Sequence, residues 1–443
     1  MNIQNIDRPV LAIAEKHNIS IEEANERINS SSVFLIAGDE IKTSPTMQIS
    51  FLTSLNITLR VFKCEVGYQI PDGIPNLLSF EEKSFNKLVE NYGGTKKLPQ
   101  QNNIKILFGL ECFDPNCIEA ISDGWMGGVN FYNQKRIVLN DSRSKLSLGA
   151  VLGSSIATFY AFCKYFELID NIQQMNTGLS LWNLNAGLNW HKDINQGPEI
   201  VNLPKNIWIL GLGHLGQAYL WTIGLMPYKN PAECVFLLQD ADIVGIENIG
   251  SQVLCSKKHI GRPKARVCAD FLENIKFKTQ IIEKPYIEGD SKQFWMENFP
   301  FLLNGVDNIE ARKGISNENI RFYLDGATNG MFSLFDSFTM KNVFHISENM
   351  EDIWKQTDTE NHILNKNLYD RYEKENGCGI IGNLGISTPF VGMFGSAIIT
   401  SELVKAMNGG IRNTIFSAQM RDLTNFSVVE DGYYDNQFLR WAI

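Results

Sequence analysis

The sequence predicts an α/β protein: a doubly wound, Rossmann-like sheet in the second half, preceded by a smaller, nucleotide-free α/β domain. Three observations carry this. From Ile207 onward short apolar runs alternate with stretches of helical length, the pattern of a parallel sheet covered by helices. The first of these runs, IWILGLGHLGQAYLW over 207–221, passes through a glycine turn into a helix. In the first half, apolar β-branched runs recur at 32–39, 57–66 and 104–110, and none enters a glycine-rich turn.

Composition narrows the function classes. The 443 residues leave room for about two to three domains, and 44% hydrophobic with 20% charged residues is ordinary for a globular chain. A formal net charge of −9, with no dense Lys/Arg cluster, argues against a nucleic-acid partner. The opening MNIQNIDRPV has no cationic segment leading into a long apolar run, so a cytoplasmic protein is expected. The most membrane-like stretch, 146–166, carries Ser147, Ser154, Ser155, Thr158 and Lys164 and reads as a tightly packed buried helix, so no membrane partner is expected. The eight cysteines contain no Cys-x-x-Cys pair, which speaks against a four-cysteine zinc site. Cys112 and Cys117 read as two buried thiols, as do Cys163, Cys234 and Cys268 in their apolar runs.

In chain order, residues 1–30 form a helical element. Its second helix starts at Ser20, with Glu23 three residues on as in a capping box, and the pair reads as a packing or dimerisation element. Residues 31–145 are the small α/β domain, a Rossmann-like or truncated unit without nucleotide machinery. Residues 146–203 are a helix and a loop-rich linker, handing over near Pro204 to the domain at 204–443. There the expected strands are NIWILGL, ECVFLLQD, KTQIIEKPY, FLLNGVD and RFYLDGA, with helices to about Leu225, from about Arg262, and in the two later gaps. A cysteine-bearing loop is expected near 360–388. No internal repeat stands out in either half.

The turn Gly211-Leu-Gly213-His-Leu-Gly216 suits a phosphate: it reverses tightly, presents backbone N–H groups, and packs helix on strand. Alone it fits NAD, ATP or a plain strand-to-helix turn. Asp240, at the end of the second strand, stands where an acid holds a ribose in nicotinamide enzymes, which leaves the nucleotide open.

The following sequence, QDADIVGIENIGSQVLCSKKHIGRPKARVCADFLE, resembles the nucleotide site of the ubiquitin-activating and ThiF-type adenylating enzymes. Asp240, Asp242 and Val244 match the family's Asp-x-Asp-x-Val. Asn248 and Gln252 match its Asn-x-x-Arg-Gln, and Gly261, Pro263 and Lys264 its Gly-x-Pro-Lys. In NGVDNIEAR, Asp307, Asn308 and Arg312 fall on a further motif. Cys378, Gly382, Pro389 and Gly392 fall on the mobile-loop cysteine and the helix that follows it. The resemblance covers 205 to about 410, and the first half, as an inactive adenylation-like domain, resembles more loosely the nucleotide-free partner half that larger members carry. Two departures stand out: Ser251 replaces the Arg of Asn-x-x-Arg-Gln, and the segment between Cys378 and Pro389 is longer than in sulfur-carrier activating members.

The resemblance implies ATP with Mg²⁺. Gly211, Gly213, His214, Leu215 and Gly216 would lie under the phosphates and Lys264 would neutralise them. Asp240 would hold the ribose, with Asp242, Gln252 and Asn308 also lining the nucleotide; Asn248 would orient phosphate or metal-bound water. Asp307 would bind the metal, and Cys378 would attack the acyl-adenylate as a thiolate. The implied partners are a ubiquitin-like protein with a glycine C-terminus, a conjugating-enzyme-like acceptor, and a second copy in a homodimer. Two rivals keep most of these residues: a peptide-tailoring adenylase that forms no thioester, and a non-catalytic scaffold for a ubiquitin-like tail, which Ser251 favours. A dehydrogenase leaves Asn248, Lys264 and Asp307 without a role. An active enzyme lacking the Arg needs a substitute cation, for which Lys257, Lys258 and Arg262 are the sequence candidates.

Overall fold

A computed structural model of the chain describes residues 7–63, 66–100, 102–139, 145–170, 172, 175–199, 201–287, 299–306, 312, 315, 322–344 and 386–442. Two short helices come first, α1 (Arg8–His17) and α2 (Ile21–Asn29). The Ser20 hydroxyl accepts the Glu23 N–H at 3.1 Å, the N-cap expected from the spacing.

The first sheet has seven strands: β1 (Val33–Ala37), β2 (Val66–Gln69), β3 (Thr95–Lys96), β4 (Ile104–Phe108), β5 (Cys117–Asp123), β6 (Met126–Phe131) and β7 (Thr177–Ser180). Their spatial order is β3-β2-β1-β4-β5-β6-β7, parallel through β5 and antiparallel beyond. One expectation is corrected. The run 57–66 is not one strand: its first half is the end of helix α3 (Pro45–Val61), and β2 takes up only its last residue, Val66. Ser44 caps that helix and Pro45 presets its first turn, and burial of nearly the whole helix overrides the β preference of Ile57, Thr58 and Val61. The sheet also runs past residue 145, because helix α5 (Ser147–Tyr165) packs on it and β7 forms its edge; a short helix α4 (Phe85–Asn91) precedes β3. The glycines of α5 serve this contact. A Cβ on Gly153 would stand 2.5 Å from the carbonyl oxygen of Ile121 in β5.

The second sheet has eight strands: β8 (Ile207–Leu210), β9 (Val235–Gln239), β10 (Lys278–Ile282), β11 (Phe301–Asn304), β12 (Phe322–Thr328), β13 (Ser337–Phe344), β14 (Ile411–Gln419) and β15 (Asp422–Tyr433). Helix α6 (His214–Gly224) follows β8, α7 (Lys264–Asn274) follows β9, and α8 (Pro389–Asn408) precedes β14. The order is β10-β9-β8-β11-β12-β13-β14-β15, parallel through β12 and antiparallel beyond. This repeats the first sheet strand for strand and adds one. The duplication lies in topology and not in residue identity, which is why the sequence displayed no repeat.

The two sheets face each other through α3, α5, α6 and α8. The Ser50 and Ser154 hydroxyls meet at 2.8 Å between α3 and α5. Ser396 of α8 donates to the Ala218 carbonyl of α6 at 2.8 Å. Phe390 of α8 packs on Phe159 and Phe162 of α5, both at 5.6 Å between ring centres. Trp221 of α6 donates to Thr53 of α3 at 3.0 Å. The helix surface at 146–166, where a second copy was expected to lie, is therefore covered within the chain. Among the described residues α8 is the one helix long and apolar enough to cross a membrane, with a mean hydropathy of 1.3, and it is entirely buried in the protein.

Candidate nucleotide site

Three glycines build the turn after β8, each for its own reason. Gly211 has φ +80°, a left-handed conformation, and a Cβ there would stand 2.7 Å from the Val306 nitrogen. Gly216 lies so close to the Gly211 carbonyl that no side chain fits between helix and strand. A Cβ on Gly213 would meet nothing within 4 Å, so this residue borders open space. It is also the N-cap of α6 and brings no capping side chain. The first N–H groups of α6 are thus left for a ligand, and the helix dipole favours an anion. Leu215 is buried below the turn.

Acids and a lysine flank this opening. Asp240, one residue past β9, accepts the Leu212 N–H at 2.6 Å and the Asp242 N–H at 2.7 Å. Burial raises its carboxyl above the ordinary aspartate range, against the pull of Lys264 and these two N–H groups. Lys264 opens α7 and reaches Asp242 at 2.8 Å, its side chain 9% exposed against 70% for the acid. Burial pulls the ammonium down, but Asp240 and Asp242 outweigh it and hold Lys264 above the usual lysine value.

Asn248 and Gln252 turn inward. The Asn248 carboxamide oxygen accepts the Gly245 N–H at 2.9 Å, shaping the turn. The Gln252 carboxamide oxygen accepts from Gln217 of α6 at 2.8 Å. Gln217 in turn donates to the Leu212 carbonyl at 2.9 Å and accepts the Leu254 N–H at 2.9 Å. Gln252 therefore braces the nucleotide turn from behind, through Gln217, while Asn248 holds the neighbouring turn at Gly245.

Ser251 is buried and brings no charge to the position of the family's arginine. Of its expected substitutes, Arg262 is engaged by Asp270 at 2.8 Å, and Lys257 and Lys258 sit on an exposed turn. The cations beside segment 250–255 come instead from the first half. Asp7 lies against Gly250 and pairs with Lys63. Arg60 of α3 donates to the carbonyls of Gln252 at 3.0 Å, Val253 at 2.6 Å and Cys255 at 2.8 Å. Burial lowers Arg60 to about 10, which leaves it cationic at neutral pH. Sequence reading missed these contacts because they join residues some 190 positions apart, with no local pattern to mark them.

Asp307, Asn308, Cys378 and Gly382 lie outside the described residues. The approach to Asp307 is described: Arg312 donates to the Val306 carbonyl at 3.0 and 2.8 Å, and faces buried Asp325 at 3.6 Å. His214, in the turn itself, meets the Thr388 carbonyl at 2.8 Å, which requires the proton on Nε2, and its ring lies against Gly392. Burial lowers this imidazole to about 4. The turn is thereby tied to the start of α8. Six cysteines fall among the described residues (112, 117, 163, 234, 255 and 268), all buried and free; burial raises the thiols of Cys112, Cys163, Cys234 and Cys268, as expected of inert packing residues.

A glycine turn with an open N-terminus, an acid at the next strand end and a lysine opening the following helix form a candidate nucleotide site on a duplicated Rossmann-like frame, and the class of protein is E1-like. Models of two domains match the chain, the BilD N-terminal domain over residues 32–181 and the BilD C-terminal domain over 203–410, and the chain belongs to this family of bacterial E1-like proteins. The bacterial E1-like protein BilD of Collimonas sp. (strain OK412) is 26% identical over 415 residues, 88% of this chain and 86% of that protein. The NEDD8-activating enzyme E1 catalytic subunit of Dictyostelium discoideum is 26% identical over 134 residues, 30% of this chain and 29% of that protein. Among solved structures, TcdA (CsdL) is 14% identical with a TM-score of 0.31, covering 44% of this chain and 83% of its own.

Proposed function

We propose that this E1-like chain binds ATP at the turn 211–216 and adenylates the C-terminal carboxylate of a ubiquitin-like protein ending in glycine, in the cytoplasm. The observation that carries the reading is the uncapped start of α6 at Gly213, open to a ligand and flanked by Asp240 and the Lys264–Asp242 pair. A carboxylate oxygen attacks the α-phosphorus, a new P–O bond forms, and the bond to the β-phosphate breaks to release pyrophosphate. Charge on the phosphoryl oxygens is the main obstacle, and buried Lys264 is the cation held ready for it once the exposed Asp242 yields to phosphate. Among the described residues no group of three or more His, Cys, Asp or Glu side chains could hold a metal. The family resemblance assigns Asp307 as the residue that would hold Mg²⁺, which would neutralise charge on the phosphates. In a second step the Cys378 thiolate attacks the acyl carbon, expels AMP and holds the acyl group as a thioester for a conjugating-enzyme-like acceptor.

ATP–pyrophosphate exchange with candidate ubiquitin-like proteins tests the first step, and a dithiothreitol-sensitive adduct lost in Cys378→Ala tests the second. Exchange retained in Cys378→Ala without any adduct in the native chain leaves adenylation alone. Calorimetric binding of NAD without binding of Mg-ATP would overturn the reading.

A further inference from the structure

The nucleotide turn is braced from the other half of the molecule. Arg60 and Asn56, one helical turn apart on α3, donate to the backbone carbonyls of segment 252–255, with Asn56 reaching Val253 at 3.2 Å. That segment presents the Gln252 carboxamide and the Leu254 N–H to Gln217, and Gln217 holds the Leu212 carbonyl. Leu212 gives its own N–H to Asp240. An unbroken series of hydrogen bonds thus runs from the first half into the middle of the glycine turn. The segment has no sheet or long helix of its own, and its carbonyls at 252, 253 and 255 all turn toward one guanidinium.

We propose that Arg60 is a positioning residue of the nucleotide site: by fixing segment 252–255 it fixes Gln217, and through Gln217 the turn that meets the phosphates. The inference rests on the nucleotide reading given above. It assigns the first half a task although its own sheet holds no nucleotide turn. A guanidinium suits the task because its planar fork reaches several carbonyls at once, whereas an ammonium concentrates its donors at one point.

The test uses the full chain and four variants: Arg60→Ala, Arg60→Lys, Gln217→Ala and the double variant Arg60→Ala/Gln217→Ala. Mg-ATP and AMP affinities are measured by calorimetry well below each thermal midpoint, and amide exchange is followed over 211–217 and 250–256. Arg60→Ala is expected to weaken ATP binding about tenfold and to speed exchange in both segments, Arg60→Lys to recover only part of this, and the double variant to be no weaker than the weaker single. A purely structural arginine would lower the midpoint and leave affinity unchanged. If Arg60→Ala does not fold, Arg60→Lys carries the same comparison against Lys16→Ala, which breaks an exposed ion pair with Asp170 inside the first half. Native chain that binds ATP, with Arg60 variants binding it within threefold, overturns this inference alone. A native chain that binds no nucleotide overturns the reading beneath it as well.

Discussion

The two sheets share their strand order and differ at the turn after the first strand of each. In the second half β8 runs into Gly211, and α6 begins three residues later with Gly213 as N-cap. In the first half β1 runs into Gly38-Asp39-Glu40, and α3 begins only at Pro45, capped by Ser44, whose hydroxyl accepts the Met47 N–H at 3.1 Å. The Glu40 carboxylate lies against Gly109, at the end of β4. At the end of the next strand the second half has Asp240, while the first has Gln69-Ile70-Pro71 and then Asp72, which is occupied by Lys96 at 2.6 Å. One frame therefore holds two outcomes. Where a serine caps the helix and exposed acids border the turn, a phosphate has neither a free donor nor an approach clear of like charge. Where the cap is a glycine, it has both.

The sharpest way to break this contrast is to give the second turn the chemistry of the first. Gly213 has φ −81° and open space where a Cβ would stand, so an aspartate side chain has room there. Gly213→Asp caps α6, which stabilises the helix by a few tenths of a kcal/mol over glycine and adds about 0.3–1 kcal/mol at the dipole. It also sets a carboxylate against the phosphates, a like-charge contact costing several kcal/mol. Calorimetry is expected to read a loss of ATP affinity of about a thousandfold, with the thermal midpoint unchanged or raised. A midpoint that falls together with affinity would mean that the glycine is needed for folding and not for the ligand.

Next in size is Lys264→Ala. It removes the buried ammonium between Asp240 and Asp242 and leaves the turn intact. Pyrophosphate exchange is expected to fall about a hundredfold, the usual effect of deleting one preorganised donor. Retention of full exchange would transfer the neutralising role to another cation.

How much of this was readable beforehand divides along the same line. The glycine turn and the acid at the following strand end obey local rules of glycine conformation and strand ends and could be read directly, whereas Lys264 is marked only by the family resemblance. The helix over 57–61 could not, because Ile57, Thr58 and Val61 favour strands and only burial between sheet and helices reverses them. The duplication could not, since equal strand order imposes no equal residues. Nor could the inward turn of Asn248 and Gln252 be seen, or the clasp of Arg60 on segment 252–255, because both depend on contacts made after the halves meet.

His214 offers a smaller effect, confined to the second half because residues 38–44 contain no histidine. Burial lowers its pKa to about 4, whereas an unfolded chain titrates near 6.5. Between these values the unfolded state binds more protons, so stability rises with pH. The contribution is complete above about 6.5 and is lost as pH falls through about 4, a change of about 3 kcal/mol. Urea unfolding at pH 7, 5.5 and 4.5 should show this slope in the native chain and a flatter one in His214→Gln. Equal slopes would mean that other groups carry the acid sensitivity.

The smallest expected effect comes from the capped turn. Ser44→Ala removes the acceptor for the Met47 N–H and should cost about 1 kcal/mol of stability. Because the first turn is no nucleotide site, ATP affinity should not change, the converse of Gly213→Asp. The test is demanding, since α3 carries both Ser44 at its start and Arg60 in its last turn, about 24 Å away at the rise of an α-helix. Fraying at an N-terminus is confined to the first turn, and Arg60 stays fixed by the carbonyls of 252, 253 and 255. A loss of ATP affinity beyond threefold in Ser44→Ala, with the protein still folded, would mean that the whole helix and not its last turn sets the nucleotide site, and the two halves would then be coupled more tightly than their separate turns imply.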